Sequence, residues 1–127
     1  MAFGTLAFDT LQTSDSKNTG TNKTLDTSFV YNGSARSWIR MNSAATIRDS
    51  FNISSASDDG TGDYSVTFTN NMDNGSNISG AANAFTSSSL LATYHTGSTS
   101  GYSIDVHNHS DSNTDSGSSH QTFGELA

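Results

Sequence analysis

A chain of 127 residues is the size of one domain and can bury about two thirds of its unfolded surface without covalent help. It has no cysteine, which excludes disulfides, thiolate metal sites, iron-sulfur clusters and a thiol nucleophile, and it has no proline. The formal charge is −7: all five bases fall in the first 48 residues beside three acids, and nine acids with no base follow. An acidic body of that kind repels phosphate, so nucleic acid and anionic membrane surfaces are not expected partners.

The opening residues Met1-Ala2-Phe3-Gly4-Thr5-Leu6 lack the basic start and apolar run of a signal peptide. No stretch approaches the roughly 20 apolar residues of a membrane helix, so synthesis in the cytoplasm and no membrane insertion are expected. The apolar segment "AFGTLAF" is followed by "QTSDSKNTGTNKT", residues 12 to 24, which holds no apolar residue. Residues 1–24 are therefore expected to form an arm and linker and residues 25–127 the body. The alternative is that residues 2–11 are the first strand of the same sheet.

Ser, Thr and Asn make up 24, 17 and 12 residues, a composition that would suit a disordered chain. Periodicity argues against disorder. Leu25, Phe29 and Tyr31 suggest one strand face, residues 37–41 look extended, and Ile47, Phe51 and Ile53 share another face with Asp49 as its one polar member. Tyr64, Val66 and Phe68 alternate with polar neighbours, as do Tyr102, Ile104 and Val106, which is the period of a half-buried strand. Residues 88–95 look extended with weaker alternation, "NHSDSNTDSGSSH" (108 to 120) reads as a polar loop, and "QTFGELA" reads as a returning last strand. Asn32-Gly33, Asp59-Gly60 and Asn74-Gly75 supply hairpin turns that accept positive φ. The expected fold is all-β: an antiparallel sandwich, jelly-roll-like or a small barrel, with an extended N-terminal segment.

Candidate chemistry is sparse. Asp58, Asp59 and Asp63 around Gly60 and Gly62 superficially match a calcium loop, but the spacing lacks the terminal acid of an EF-hand, and a structural turn is expected. His107 and His109, two apart, would share a strand face with Asp105; one pair is too few for a tetrahedral metal, although three chains on an axis would supply six nitrogens. No Gly-x-Ser-x-Gly elbow, phosphate loop or carboxylate pair points to catalysis, and no cofactor is implied. Trp38, the single tryptophan, is expected in the core, with a sugar-stacking role as the alternative.

"NGSARSWIRMN" (32 to 42) followed by "TIRDSFNISSASDDGTGDYSVTFTNNM" (46 to 72) resembles the repeated pattern of virion fibre-type proteins of tailed bacteriophages, especially phages of marine bacteria and cyanobacteria. In that pattern an Ala-x-x-Trp segment precedes an Ile-Arg-x-Ser-Phe-Asn-x-Ser-Ser run, then a Gly-x-Gly-Asp-Tyr turn and a Val-x-Phe strand. "GTLAFDTLQTSD" is also similar to the opening of such proteins.

The resemblance implies a non-enzymatic component on the exterior of the virion. It would be a short tail fibre or similar appendage that docks by its N-terminus and presents a β-domain for host-surface recognition. Docking would involve Phe3, Leu6, Phe8 and Leu11. Trp38, Ile47, Arg48, Phe51, Asn52, Gly60, Gly62, Asp63, Tyr64, Val66 and Phe68 match the pattern and would serve fold and packing, Asp63 satisfying donors in the turn. Receptor-facing candidates lie in the stretches 71–80, 95–101 and 108–120 and beside them: Asn77, Tyr94, His95, Asn108 and His109. The implied partners are the chain itself as a homotrimer, other tail or capsid proteins, and a host surface glycan or protein. No coiled-coil or triple β-helical shaft is expected within these residues, so a capsid decoration or head-fibre role that stabilises the shell is the alternative. A carbohydrate-binding module is the alternative of another class.

Overall fold

The computed structural model describes residues 10–13, 23–26, 30, 33–86 and 89–127. The chain divides into two compact units, Met1–Ser34 and Ala35–Ala127. In the first, β1 (Thr10–Thr13) pairs antiparallel with β2 (Lys23–Asp26), with Leu11 opposite Leu25. These two strands form a sheet of their own, so the polar stretch expected as linker contributes ladder positions at both of its ends. Phe3, Leu6, Phe8, Phe29, Tyr31 and Asn32 lie outside the described residues.

The second unit is a β-sandwich. One sheet has the order β4 (Ile47–Phe51), β3 (Ser37–Met41), β10 (Ser118–Phe123), β7 (Ser79–Ala84). The other has β5 (Ile53–Gly60), β6 (Asp63–Phe68), β9 (Gly101–Asn108), β8 (Leu90–Ser98), and all neighbours are antiparallel. Alternation creates the core. Tyr64, Val66 and Phe68 of β6 and Tyr102, Ile104 and Val106 of β9 meet Ile39 and Met41 of β3, with Ala45 and Met72 closing the ends.

β10 is a central strand, and its inward residues Ser118, His120 and Thr122 are all buried. Ser37 and Thr122 share a 2.6 Å hydroxyl bond, and His120 joins Ser118 Oγ through Nε2 (2.8 Å) and the Tyr102 hydroxyl through Nδ1 (3.3 Å). Polar residues thus line half of one inner face, each with a partner, as burial demands. This corrects the expectation of a polar loop through residue 120: the strand starts at Ser118, and its buried side is polar.

Two further expectations change. Between Arg40 and Met41 the β3–β4 register shifts, so that Met41 faces Ile47 whereas Arg40 faces Asp49 and Trp38 faces Phe51. Arg48 is the extra residue of this bulge, and the shift reverses the parity that follows. Asp49 and Phe51 therefore lie on the outer face with Trp38, rather than on a buried face with Ile47. Second, Asn74-Gly75 does not join a hairpin. It starts a 3-10 turn (Gly75–Asn77), capped by Asn74, on a segment that crosses from β6 in one sheet to β7 in the other.

Candidate functional site

Asp58, Asp59 and Asp63 belong to a turn. Thr61 and Gly62 connect the paired Gly60 and Asp63, and Gly62 takes φ +70°. Asp59 accepts from the Ser57 hydroxyl (2.9 Å) and from Ser65. Asp58 accepts from Gly60 N (3.3 Å), and the Gly62 amide donates to Asp115 Oδ1 at 2.8 Å. The donors of the turn are thus satisfied by Asp58 and Asp115, not by Asp63. Asp115 arrives from the β9–β10 connection, which sequence spacing did not reveal.

The two histidines do not share a strand face, because β9 ends at Asn108. Asn108 Oδ1 accepts from the amides of Ser110 (2.8 Å) and Ser112 (3.1 Å), which turns the chain and places His109 beyond the ladder. His107 remains on the outer face opposite Leu91. Among the described residues no three His, Asp or Glu side chains gather in a group able to hold a metal.

The receptor-facing candidates separate. Asn77 is exposed in the 3-10 turn, and His109 is exposed in the turn after β9. Asn108 is half-buried and already bonded. Tyr94 and His95 lie within β8, not in a loop, and point to opposite faces. Tyr94 turns inward and stacks on Tyr102 at 5.3 Å between centroids, with its hydroxyl buried and unpartnered. His95 points outward, 3.4 Å from Asp105.

Two grooves mark the outer faces of the sandwich. On the sheet of β6, β8 and β9, a groove of about 520 Å³ is lined by hydroxyls, including Ser65, Thr67, Thr96, Ser98 and Ser103. Several of these already bond each other or a neighbour: Thr96 to Ser103 at 2.6 Å, Ser65 to Asp59, and Ser98 to the backbone of Gly101.

The other groove, about 360 Å³, lies on the β4-β3-β10-β7 sheet across β3, β10 and β7. Its floor is set by register. One row across the four strands is Phe51, Trp38, Gln121, Ala81; the next is Asp49, Arg40, Ser119, Asn83. Trp38 is 39 % exposed and Phe51 53 %, so neither is the packed residue expected from the sequence. The strand alternates so that Ser37, Ile39 and Met41 go inward. Arg40 turns its guanidinium over the Phe85 ring, 5.0 Å from the centroid, and Phe85 is itself exposed. The sequence had marked only Trp38 as a possible platform. Gln121, Asn83 and Ser119 were missed because nothing in their local pattern says which strands adjoin.

Chemically, this face offers stacking surface beside uncommitted amides, and the hydroxyl face offers a largely self-satisfied network. Buried His120 lies behind the first face, its pKa lowered to about 4 by desolvation, and burial pushes the Tyr102 hydroxyl upward. No protein-family model matches the chain, and no curated protein or solved structure matches it.

Proposed function

We propose that the chain is a non-enzymatic structural component of a tailed-phage virion. Its N-terminal unit docks on the particle and its sandwich is displayed outward for host-surface recognition. The observation that carries this reading is the role taken by the residues of the fibre-like pattern. Asn52, at φ +57°, turns the chain from β4 into β5, and its amide brackets the backbone of Asn70 at 2.7 and 3.1 Å. Gly62 makes the hairpin turn, and Tyr64, Val66 and Phe68 fill the core. Residues spent in this way specify a module of architecture rather than a reaction centre, which is what a repeated fibre pattern requires. The separate N-terminal unit supports a docking arm.

Mass spectrometry of purified particles of a phage encoding the chain is expected to find it, and deletion of residues 1–15 is expected to abolish incorporation while leaving a folded body. A deleted chain that still enters particles overturns the docking role. Light scattering is expected to give a trimer; a monomer overturns that part. A second reading, a free-standing carbohydrate-binding module, draws on the exposed pairing of Trp38 with Phe51. Absence from particles would favour it.

A further inference from the structure

We propose that the outer face of the β4-β3-β10-β7 sheet is a binding site for a neutral pyranose residue of an extended glycan, stacked on Trp38 and hydrogen-bonded by Gln121 and Asn83. The inference deepens the host-recognition reading and rests on it only for where the glycan comes from. It moves the recognition surface from the loops to a sheet face.

Three observations carry it. First, the indole is exposed on a rigid central strand, directly opposite Phe51 on one side and Gln121 on the other. Strands are roughly 4.8 Å apart, so an aromatic plate and an amide stand about one sugar ring from each other. Apolar C–H faces of a pyranose suit the plate, and its edge hydroxyls suit the amides. Second, Gln121, Asn83 and Ser119 make no side-chain hydrogen bond among the described residues, and Ala81 at the end of the Trp38 row leaves the step that opens the groove. A site built to bond hydroxyls keeps such groups uncommitted. Third, Arg40, which lines the groove, has its guanidinium already stacked over Phe85. A neutral sugar, which needs no free cation, fits such a lining better than a uronate.

A second copy of the chain is the competing occupant. Its dry contact would bury Gln121, Asn83 and Ser119 without assured partners, at a cost per group that a few aromatics do not readily offset. The groove sets Trp38 among Arg40, Asn83, Ser119 and Gln121, a mixed lining less apolar than the core of an interface between copies.

Trp38 is the sole tryptophan, so its emission reports on this site alone. The full chain is screened on a printed panel of bacterial capsular and lipopolysaccharide glycans together with neutral glucan, mannan and galactan hexamers, and the best neutral binder is then titrated against Trp38 fluorescence. A saturable shift is expected, weakened at least tenfold by Asn83→Ala and by Gln121→Ala, both exposed positions that leave the indole and the melting temperature in place. Trp38→Ala is expected to remove panel binding. Binding only to acidic glycans, no binding to any neutral member, or full affinity in both amide variants overturns the proposal. So does a fall in molar mass on Trp38→Ala without glycan binding, which would make the face a contact between copies. Particle incorporation is read separately, so loss of glycan binding with normal incorporation leaves the virion role standing, and the reverse result removes only that role.

Discussion

Gly62 sits where three segments meet. Its carbonyl accepts from Val106 N at 2.6 Å, its amide donates to Asp115, and Val106 in turn accepts from Thr114 N at 2.9 Å. A Cβ at this position would press on the Val106 carbonyl oxygen and lie 2.7 Å from Thr114 N, with the backbone at φ +70°. Gly62→Ala is therefore expected to destabilise by more than about 2 kcal/mol, read by urea denaturation. Tyr94 predicts the opposite behaviour. Its buried hydroxyl has no partner, and desolvation raises its pKa. Tyr94→Phe keeps the stack on Tyr102 and removes an unsatisfied group, so stability is expected to stay within about 0.5 kcal/mol of the parent or to rise. A loss above about 1 kcal/mol would mean that the hydroxyl is bonded in solution. At this scale the sequence was informative where chemistry is local, as at the Gly60–Asp63 turn. It was silent where the partner is remote, as for Asp115.

The strands that alternate apolar with polar residues, β6 and β9, are the ones the sequence displays plainly. β10 alternates as well, but its buried side reads Ser, His, Thr, and hydropathy cannot distinguish that from a loop. Ser37 turns inward with Ile39 and Met41, which sends Trp38 outward, and its partner there is the hydroxyl of Thr122, 85 residues away. The outward turn of Phe51 depends on one bulge residue, Arg48. The candidate glycan face was therefore hidden twice, by a polar core stripe and by a parity change, although all of its side chains were in view. β10 also predicts a pH dependence. His120 has a pKa lowered to about 4 in the folded chain against 6.5 unfolded, so between these values the unfolded chain binds the extra proton. The stabilisation is whole above pH 6.5 and falls as pH drops toward 4, by roughly 3 kcal/mol across the window. Denaturation at pH 7, 5.5 and 4.5 is expected to show this slope, and His120→Gln is expected to flatten it relative to the parent.

The whole chain comprises two compact units that divide after Ser34. The sandwich contains its own core and both of its sheets within residues 35–127. Removal of residues 1–34 is expected to leave a cooperative thermal transition within about 3 °C of the full chain, measured by circular dichroism. A broad or absent transition would mean that the first unit completes the fold. The fold class was legible because antiparallel alternation and Gly-containing turns are encoded within a few residues of each other. Sheet membership was not, because the chain changes sheets at Asn52, between β6 and β7, between β7 and β8, and after β9, and local pattern does not encode which sheet comes next.

The central position of β10 also bears on how the protein is made. β3, β4 and β7 leave the ribosome well before residues 118–123, yet β3 and β7 are joined only through that strand. The nascent chain can zip its local hairpins early, but one sheet must wait, with a gap in its middle, until residues 118–123 have been made. Completion of that sheet should therefore be slow for a domain of this size, with β10 inserting between two waiting edges as the committing event.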